Sequence, residues 1–139
     1  MKFAKINNEI TVSDQITIED LKEIHAQGYK TIFCNRPDLE SEGQLDFSTI
    51  EKEAQKLNIK AIHQPVIGGQ ISDDAIVQFG RYFEVAQKPV FAYCRTGTRC
   101  STLWALSQAK SLSIGEILSA AQNAGYDLSP LQDRLNSLK

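Results

Sequence analysis

One short stretch, Cys94-Arg95-Thr96-Gly97-Thr98-Arg99-Cys100, places a thiol, two guanidinium groups and a glycine within a single loop. Residues 89–93 before it form an apolar run that predicts a buried strand, and residues 101–106 after it predict a helix. A strand, a tight loop and a helix N-terminus direct backbone N–H groups and the positive end of a helix dipole at one point. Such a field stabilises a thiolate and lowers a cysteine pKa from about 8.5 to ~3.5–7.5. The stretch therefore predicts that Cys94 is a nucleophile beneath an anionic substrate.

The other residues of this loop are predicted to hold the anion. Arg95 and Arg99 carry planar donor forks that suit oxyanions. Thr96, Gly97 and Thr98 supply backbone N–H groups, and the glycine gives the turn the conformational freedom that a side chain would deny. A cysteine at a strand end is often a small buried hydrophobic residue. Two arginines and a glycine beside it make a poor core, however, and favour a functional role.

The whole chain, residues 1–139, is predicted to form a single domain with a hydrophobic core. Apolar residues make up 42% and charged residues 23% of the chain, which is normal for a globular protein. The formal net charge of -2 gives no reason to expect nucleic acid or a membrane surface as a partner. No apolar run approaches the ~20 residues that span a bilayer, and the N-terminus lacks the apolar segment of a signal peptide. The three cysteines have no zinc-type spacing, so we expect no metal or cofactor and a reducing, cytoplasmic location.

The pattern along the chain alternates between strands and helices. This alternation predicts an α/β fold with three layers, in which a mostly parallel central sheet is flanked by helices. The predicted strands are residues 3–6, 10–13, 30–34, 59–63 and 89–93, and the predicted helices begin after N-caps at Thr17, Ser48, Ser72, Ser113 and Ser129.

In a parallel sheet, ligands bind beyond the carboxyl ends of the strands. Three loops begin there in the predicted fold: one after Cys34, one after His63 and the loop that carries Cys94. We therefore expect Arg36 and Asp38 of the first loop to join the site, together with the Gly68-Gly69 turn of the second. Arg36 is equally compatible with contacting a substrate and with pinning a loop carboxylate.

Three segments of the chain resemble a known family. The segments Arg36-Pro37-Asp38, Pro65-Val66-Ile67-Gly68-Gly69 and Tyr93-Cys94-Arg95-Thr96-Gly97-Thr98-Arg99 resemble, in order, the beta-lactamase-hydrolase-like, phosphatase-like domain family. The resemblance covers roughly the first 110 residues and rests on motifs in three separate loops. It implies the cysteine-phosphatase-like fold of the dual-specificity tyrosine phosphatases. The family is also described as sulfur transferases.

The loop departs from the phosphatase signature, in which His-Cys is followed by five residues and then Arg. Tyr93 stands in place of the histidine, Arg99 follows after four residues, and Cys100 holds the arginine position. The loop at residues 66–69 also lacks the aspartate that serves such phosphatases as general acid. We hypothesise that Asp38 supplies this acid from the neighbouring loop.

Three functions remain open from the sequence. The main interpretation is a sulfurtransferase, because Cys-Arg-x-Gly-x-Arg also resembles the shorter active loop of rhodaneses, and sulfite leaves without an acid. Cys94 would then carry sulfane sulfur from a small anionic donor to a thiol acceptor. The alternative is a phosphatase that acts on phosphoesters through Cys94, Arg99 and Asp38. The third is a non-catalytic redox or anion sensor, in which Cys100 resolves an oxidised Cys94, although Cys100 also suits a small buried helix residue.

Overall fold

A computed structural model describes all residues, Met1–Lys139, and contains one five-stranded sheet. The strands are β1 Ala4–Lys5, β2 Ile10–Ser13, β3 Thr31–Cys34, β4 Lys60–His63 and β5 Val90–Tyr93. Their order in the sheet is β1-β2-β5-β3-β4, and all neighbours are parallel except the antiparallel pair β1 and β2. The predicted α/β class and mostly parallel sheet are therefore confirmed.

Six α-helices and one 3₁₀ turn connect and cover the strands. Their bounds are α1 Ile18–Ala26, α2 Phe47–Lys56, α3 Asp73–Val85, α4 Thr98–Ser107, α5 Ile114–Asn123 and α6 Gln132–Ser137, with the 3₁₀ turn at Ser129–Leu131. None of the helices combines the length and the apolar character that a membrane-spanning segment needs.

Three of the five predicted N-caps are confirmed. Thr17 and Ser113 form full capping boxes, and the Ser72 side chain accepts from Ala75 N–H. The predicted cap at Ser48 is wrong, because Asp46 accepts from Thr49 N–H instead and Ser48 lies inside α2. The predicted cap at Ser129 is wrong, because Ser129 lies inside the 3₁₀ turn and α6 begins after Leu131 without a side-chain cap. The helix predicted at residues 101–106 starts earlier, at Thr98, so its N-terminus lies inside the cysteine loop.

The sheet separates two clusters of buried side chains, which confirms the three layers. Alternate residues of β3 point to opposite faces: Ile32 joins the cluster beneath α1 and α2, whereas Phe33 joins the cluster beneath the later helices. The first cluster receives Leu21, Ile24, Ile50 and Ala54, and the second receives Phe79, Leu103, Trp104, Ile117 and Leu135.

Strand β5 lies at the centre of the sheet and fixes the position of the cysteine loop. It pairs in parallel with β2 on one side and with β3 on the other, and Tyr93 is in register with both Ser13 and Cys34. The loops that follow these strands therefore begin at one edge of the sheet, as predicted.

The Ile32 side chain is fully buried beneath α1 and α2. We expect Ile32→Ala to lower the free energy of unfolding by about 2–5 kcal/mol, because it removes buried methyl groups and leaves a cavity. Urea unfolding measures the change. The control Val85→Ala, at a position that is 81% exposed, should change stability by less than about 0.5 kcal/mol. Similar losses for both variants would contradict the described core.

Candidate active site

The Cys94 sulfur lies at the base of the loop that joins β5 to α4. The Cys94 backbone N–H donates to the Ser13 carbonyl at 3.2 Å, which extends the pairing of β5 with β2 by one residue. The Gly97 N–H donates to the Cys94 sulfur at 3.1 Å, and Cys94 itself is fully buried. Helix α4 begins at the next residue, Thr98, so the positive end of its dipole adjoins the sulfur.

The pKa of Cys94 is lowered to about 5. The largest cause is a hydrogen bond from the Cys100 side chain, and backbone N–H groups of Cys100, Thr96 and Gly97 add to it. Burial acts in the opposite direction but is outweighed. Because the pKa lies well below 7, Cys94 is a thiolate at neutral pH, which is the reactive form of cysteine.

Gly97 is required by both conformation and space. Its φ of +92° lies in the left-handed region, which favours glycine. A Cβ at this position would clash with Tyr126 Oη. That hydroxyl in turn donates to the Thr96 carbonyl at 2.9 Å. Tyr126, from the segment after α5, therefore holds the loop from behind and leaves no room for a side chain at residue 97.

Arg99 is oriented by two acceptors outside the loop. Its Nη1 and Nη2 donate to the two carboxylate oxygens of Glu40 at 2.7 and 2.8 Å, and Nη1 also donates to the Val66 carbonyl at 2.9 Å. A guanidinium has five N–H donors, and the Nε–H and the second Nη2–H have no acceptor in the protein. These two form one fork that suits an oxyanion. Gly68 lies beside this edge, where its Cβ would be 4.0 Å from Nε.

Arg36 lies behind Glu40 and is 3% exposed. Its Nε donates to Glu40 at 2.9 Å, Nη1 to Gln15 at 2.8 Å and Nη2 to Ser41 at 2.9 Å. The pKa of Glu40 falls to about 2, first because of the Arg99 hydrogen bond and then because of Arg36. In this structure Arg36 thus holds the loop carboxylate of Glu40 in place, and its contact with a substrate stays a prediction.

Asp38 and Arg95 lie at the surface of this region. Asp38 is exposed, and its Oδ1 accepts from the Phe47 N–H at 2.9 Å, at the start of α2. Arg95 is exposed and makes no hydrogen bond within the protein. The role of Asp38 as an acid and that of Arg95 as an anion contact stay predictions. No group of three or more His, Cys, Asp or Glu side chains is placed to hold a metal ion.

The other two cysteines differ from Cys94. Burial raises the pKa of Cys34 to about 11, and burial likewise raises the pKa of Cys100 well above its usual value. Cys100 therefore keeps its proton at neutral pH. In the structure it is a fully buried residue of α4, and its use as a resolving thiol stays a prediction.

A pocket of about 470 Å³ opens beside Arg99. Its walls come from the turn before α3, from the cysteine loop with the start of α4, and from the C-terminal segment. The lining residues are Gly68, Gly69, Gln70, Ile71, Thr96, Thr98, Arg99, Thr102, Leu131 and Arg134. The predicted Gly68-Gly69 turn, Thr96, Thr98 and Arg99 are therefore brought together.

Sequence reasoning missed the residues that support the loop from a distance. Glu40 is 59 residues from Arg99, and Tyr126 is 30 residues from Thr96. The one available signal was the position of Glu40 in the same polar turn as Arg36 and Asp38. No local pattern marked Tyr126 or Arg134.

A parallel sheet that delivers a cysteine thiolate and an oriented arginine to a helix N-terminus defines an enzyme of the cysteine-dependent phosphatase-like class. Residues 2–111 match the family described as beta-lactamase hydrolase-like protein, phosphatase-like domain. The chain belongs to this family, which confirms the resemblance inferred from the three motifs.

Individual relatives agree with this assignment. A beta-lactamase hydrolase-like protein from Agrobacterium fabrum is 34% identical over 130 residues, which cover 92% of this chain and 30% of that protein. The chain thus spans about 30% of the length of the curated relatives that it matches.

Solved structures show the same fold. The crystal structure of a candidate phosphatase from Neisseria meningitidis is 38% identical, with a TM-score of 0.88 over 100% of this chain and 99% of that one. The core catalytic domain of a PP-IP phosphatase from S. cerevisiae has a TM-score of 0.67 at 16% identity, covering 94% of this chain and 81% of that one. At that identity the second similarity concerns the fold alone.

The low pKa of Cys94 predicts a distinct pH profile of alkylation. The rate with iodoacetamide should rise through a midpoint near pH 5 and then stay flat to pH 8, because only the thiolate reacts. Mass spectrometry of the alkylated peptide measures this rate. The Cys34 peptide serves as an internal control, because the pKa of about 11 keeps that thiol protonated and unmodified in the folded protein. A midpoint near 8.5, the value of a free thiol, would contradict the described thiolate.

The constraint on Gly97 predicts the effect of a single methyl group. Gly97→Ala should lower the free energy of unfolding by more than about 2 kcal/mol, because it combines left-handed strain with a clash against Tyr126. It should also move the alkylation midpoint of Cys94 upward, since the loop must shift. Thermal unfolding and the alkylation profile measure the two effects.

Gly69→Ala is the matched control. Gly69 also has a positive φ, of +77°, but nothing lies within 4 Å of its Cβ position. This variant should lose only about 1–2 kcal/mol from backbone strain and keep the Cys94 midpoint. Equal effects of the two variants would show that Tyr126 does not hold the loop.

Proposed function

We propose that this chain hydrolyses phosphate esters through a covalent phosphocysteine at Cys94. The observation that carries the proposal is the buried Cys94 sulfur, which accepts the Gly97 N–H at 3.1 Å in the same loop as Arg99, whose Nε edge has no acceptor in the protein. Membership of a phosphatase-like family supports phosphoryl transfer over the sulfur transfer that we favoured from the sequence.

In the proposed first step, the Cys94 thiolate attacks the phosphorus of the bound ester. An S–P bond forms, the P–O ester bond breaks, and its electron pair leaves with the oxygen. The Arg99 edge and the N–H groups of residues 96–99 hold the phosphoryl oxygens as charge moves onto them. In the second step, water attacks the phosphocysteine, the S–P bond breaks, and inorganic phosphate and the thiolate result.

The proton for the leaving oxygen limits the range of esters. Val66-Ile67-Gly68-Gly69 contains no carboxylate, and Asp38 is exposed and bound to a backbone N–H. A positioned general acid typically contributes ~10²–10⁴ in rate. We therefore expect aryl phosphates, which leave without full protonation, to be hydrolysed much faster than alkyl phosphates.

Sulfur transfer is the second candidate, and the same missing acid favours it. Sulfite leaves from thiosulfate without protonation, so the loop after β4 would need no carboxylate. The Cys94 thiolate would attack the outer sulfur of thiosulfate, form a persulfide and release sulfite. A thiol acceptor would then take the sulfur and restore the thiolate.

One experiment separates the two proposals. The protein is incubated with phenyl phosphate or with thiosulfate, and intact mass after rapid acid quench detects a phosphoryl group or one added sulfur. Phosphate release is followed in parallel. We expect Cys94-dependent phosphate release and a trapped phosphoryl adduct, both absent in Cys94→Ser.

Arginine variants test the anion contact. Arg99→Met should lower kcat/KM for phenyl phosphate by about 10²–10³, as the loss of an oxyanion donor does. The exposed Arg81, on α3, provides the control Arg81→Met, which should keep kcat/KM within about twofold. In the mass experiment, a sulfur adduct from thiosulfate together with no phosphate release from phenyl phosphate would overturn the phosphatase proposal and support sulfur transfer.

A further inference from the structure

Arg134, on the C-terminal helix α6, lines the same pocket as Arg99. It lies outside residues 2–111, which match the family. Its Nη2 donates to the Ile71 carbonyl at 2.8 Å and to Asp73 Oδ1 at 3.0 Å, which holds the side chain against the start of α3. The pocket thus has a second cation, supplied by a part of the chain for which the sequence suggested no function.

The bonds of Arg134 leave part of its guanidinium open. Both hydrogens of Nη2 are used, whereas Nη1 and Nε have no acceptor in the protein. The ion pair with Asp73 is weak compensation, because the Asp73 side chain is 79% exposed and its charge is screened by water. Arg134 is 34% exposed, so its free donors are available to a second anionic group.

Threonine side chains and main chain line the pocket between the two arginines. Thr96, Thr98 and Thr102 contribute side chains, and the Gly68-Gly69 turn contributes backbone. Ile71 and Leu131 are the only two apolar residues among the ten that line it, and none is aromatic. The lining offers no aromatic ring on which a phenyl group could stack, and its two arginines favour a ligand with more than one anionic group.

We propose that the substrate is a small diphosphate, whose terminal phosphoryl group is transferred to Cys94 while Arg134 holds the phosphate that leaves. This inference rests on the proposed phosphatase function and names the substrate class of that site. Two independent observations support it: the second arginine in the pocket and the absence of a carboxylate in the loop after β4.

The chemistry of a phosphoanhydride removes the need for an acid. The thiolate attacks the terminal phosphorus, an S–P bond forms, and the P–O bond of the anhydride breaks with its electrons on the leaving phosphate. That phosphate leaves as a dianion, stable at neutral pH because the second pKa of a phosphate ester is about 6. Its negative charge grows as the bond breaks, and Arg134 stabilises it. Water then hydrolyses the phosphocysteine and releases inorganic phosphate.

The test compares three probes with the full chain: methyl diphosphate, methyl phosphate and phenyl phosphate. We expect kcat/KM for methyl diphosphate to exceed that for methyl phosphate by at least about 10², the lower bound of a general-acid effect. Phenyl phosphate reports the basic activity of the site without a second anion.

Variants of the second arginine test its contact. Arg134→Met should raise KM for methyl diphosphate at least about fivefold and leave that for phenyl phosphate within about twofold, while Arg134→Lys restores most of the difference because it keeps the charge. Arg134→Gln keeps a long polar side chain but removes the charge, and it should likewise raise KM for methyl diphosphate. This variant decides the matter if Arg134→Met does not fold, and an unchanged KM would then overturn the inference.

The outcomes separate this inference from the proposed function. Cys94-dependent hydrolysis of phenyl phosphate without any preference for methyl diphosphate would overturn the substrate class and leave the phosphatase standing. Equal loss for both substrates in Arg134→Met would make the arginine a purely structural residue and overturn its role. No hydrolysis of any probe would overturn the proposed function itself.

Discussion

The hydrogen bond from Gly97 N–H to the Cys94 sulfur is the constraint on which the site depends. It requires a loop that turns back over the end of β5 within three residues, and such a turn needs a left-handed conformation at Gly97. The base of the loop is fixed by the bond from Cys94 N–H to the Ser13 carbonyl. Its back is fixed by Tyr126, which occupies the space that a side chain at residue 97 would take. Contacts at the base and at the back of the loop therefore hold the Gly97 N–H against the sulfur.

Charge in the site is arranged locally, since the chain as a whole is slightly acidic. Glu40 lies between two arginines and stays ionised, with its pKa lowered to about 2. Glu40 binds the two Nη groups of Arg99 and leaves the Nε edge open. It therefore orients that arginine without blocking it. Arg36 supplies the second positive charge, so the cluster keeps a net charge of +1 to offer to an anion. Arg36 orients Glu40 and needs no access to the anion, so it can be almost completely buried.

Features encoded within one short segment could be predicted from the sequence. The strands, the fold class and the Cys94 loop follow from apolar runs and from a glycine beside two arginines, and the low pKa of Cys94 follows from that loop. Long-range contacts could not be predicted in the same way, because partners such as Arg134 and Ile71 are 63 residues apart and carry no shared pattern. The predicted N-cap of α2 is wrong for a local reason. Asp46 and Ser48 are both good N-cap residues and lie two residues apart, and in the structure Asp46 caps the helix. The loop after Cys94 is shorter than the sequence predicts, because α4 starts at Thr98 and already includes Arg99 and Cys100.

Different parts of the chain hold the Cys94 sulfur and form the far wall of the pocket. The sulfur is held by the central strand and by the first turn of α4, both of which are packed into the sheet core. The far wall of the pocket comes from Leu131, in the 3₁₀ turn, and from Arg134, on the short helix α6. Arg134 bonds to Ile71 before α3 and to Asp73 at the start of α3. The Gly97–Cys94 hydrogen bond and the pairing of Arg99 with Glu40 involve no residue of α6. Under the proposed function, the anion that the pocket accepts would therefore depend on Arg134, a residue far in sequence from the loop that carries the thiolate.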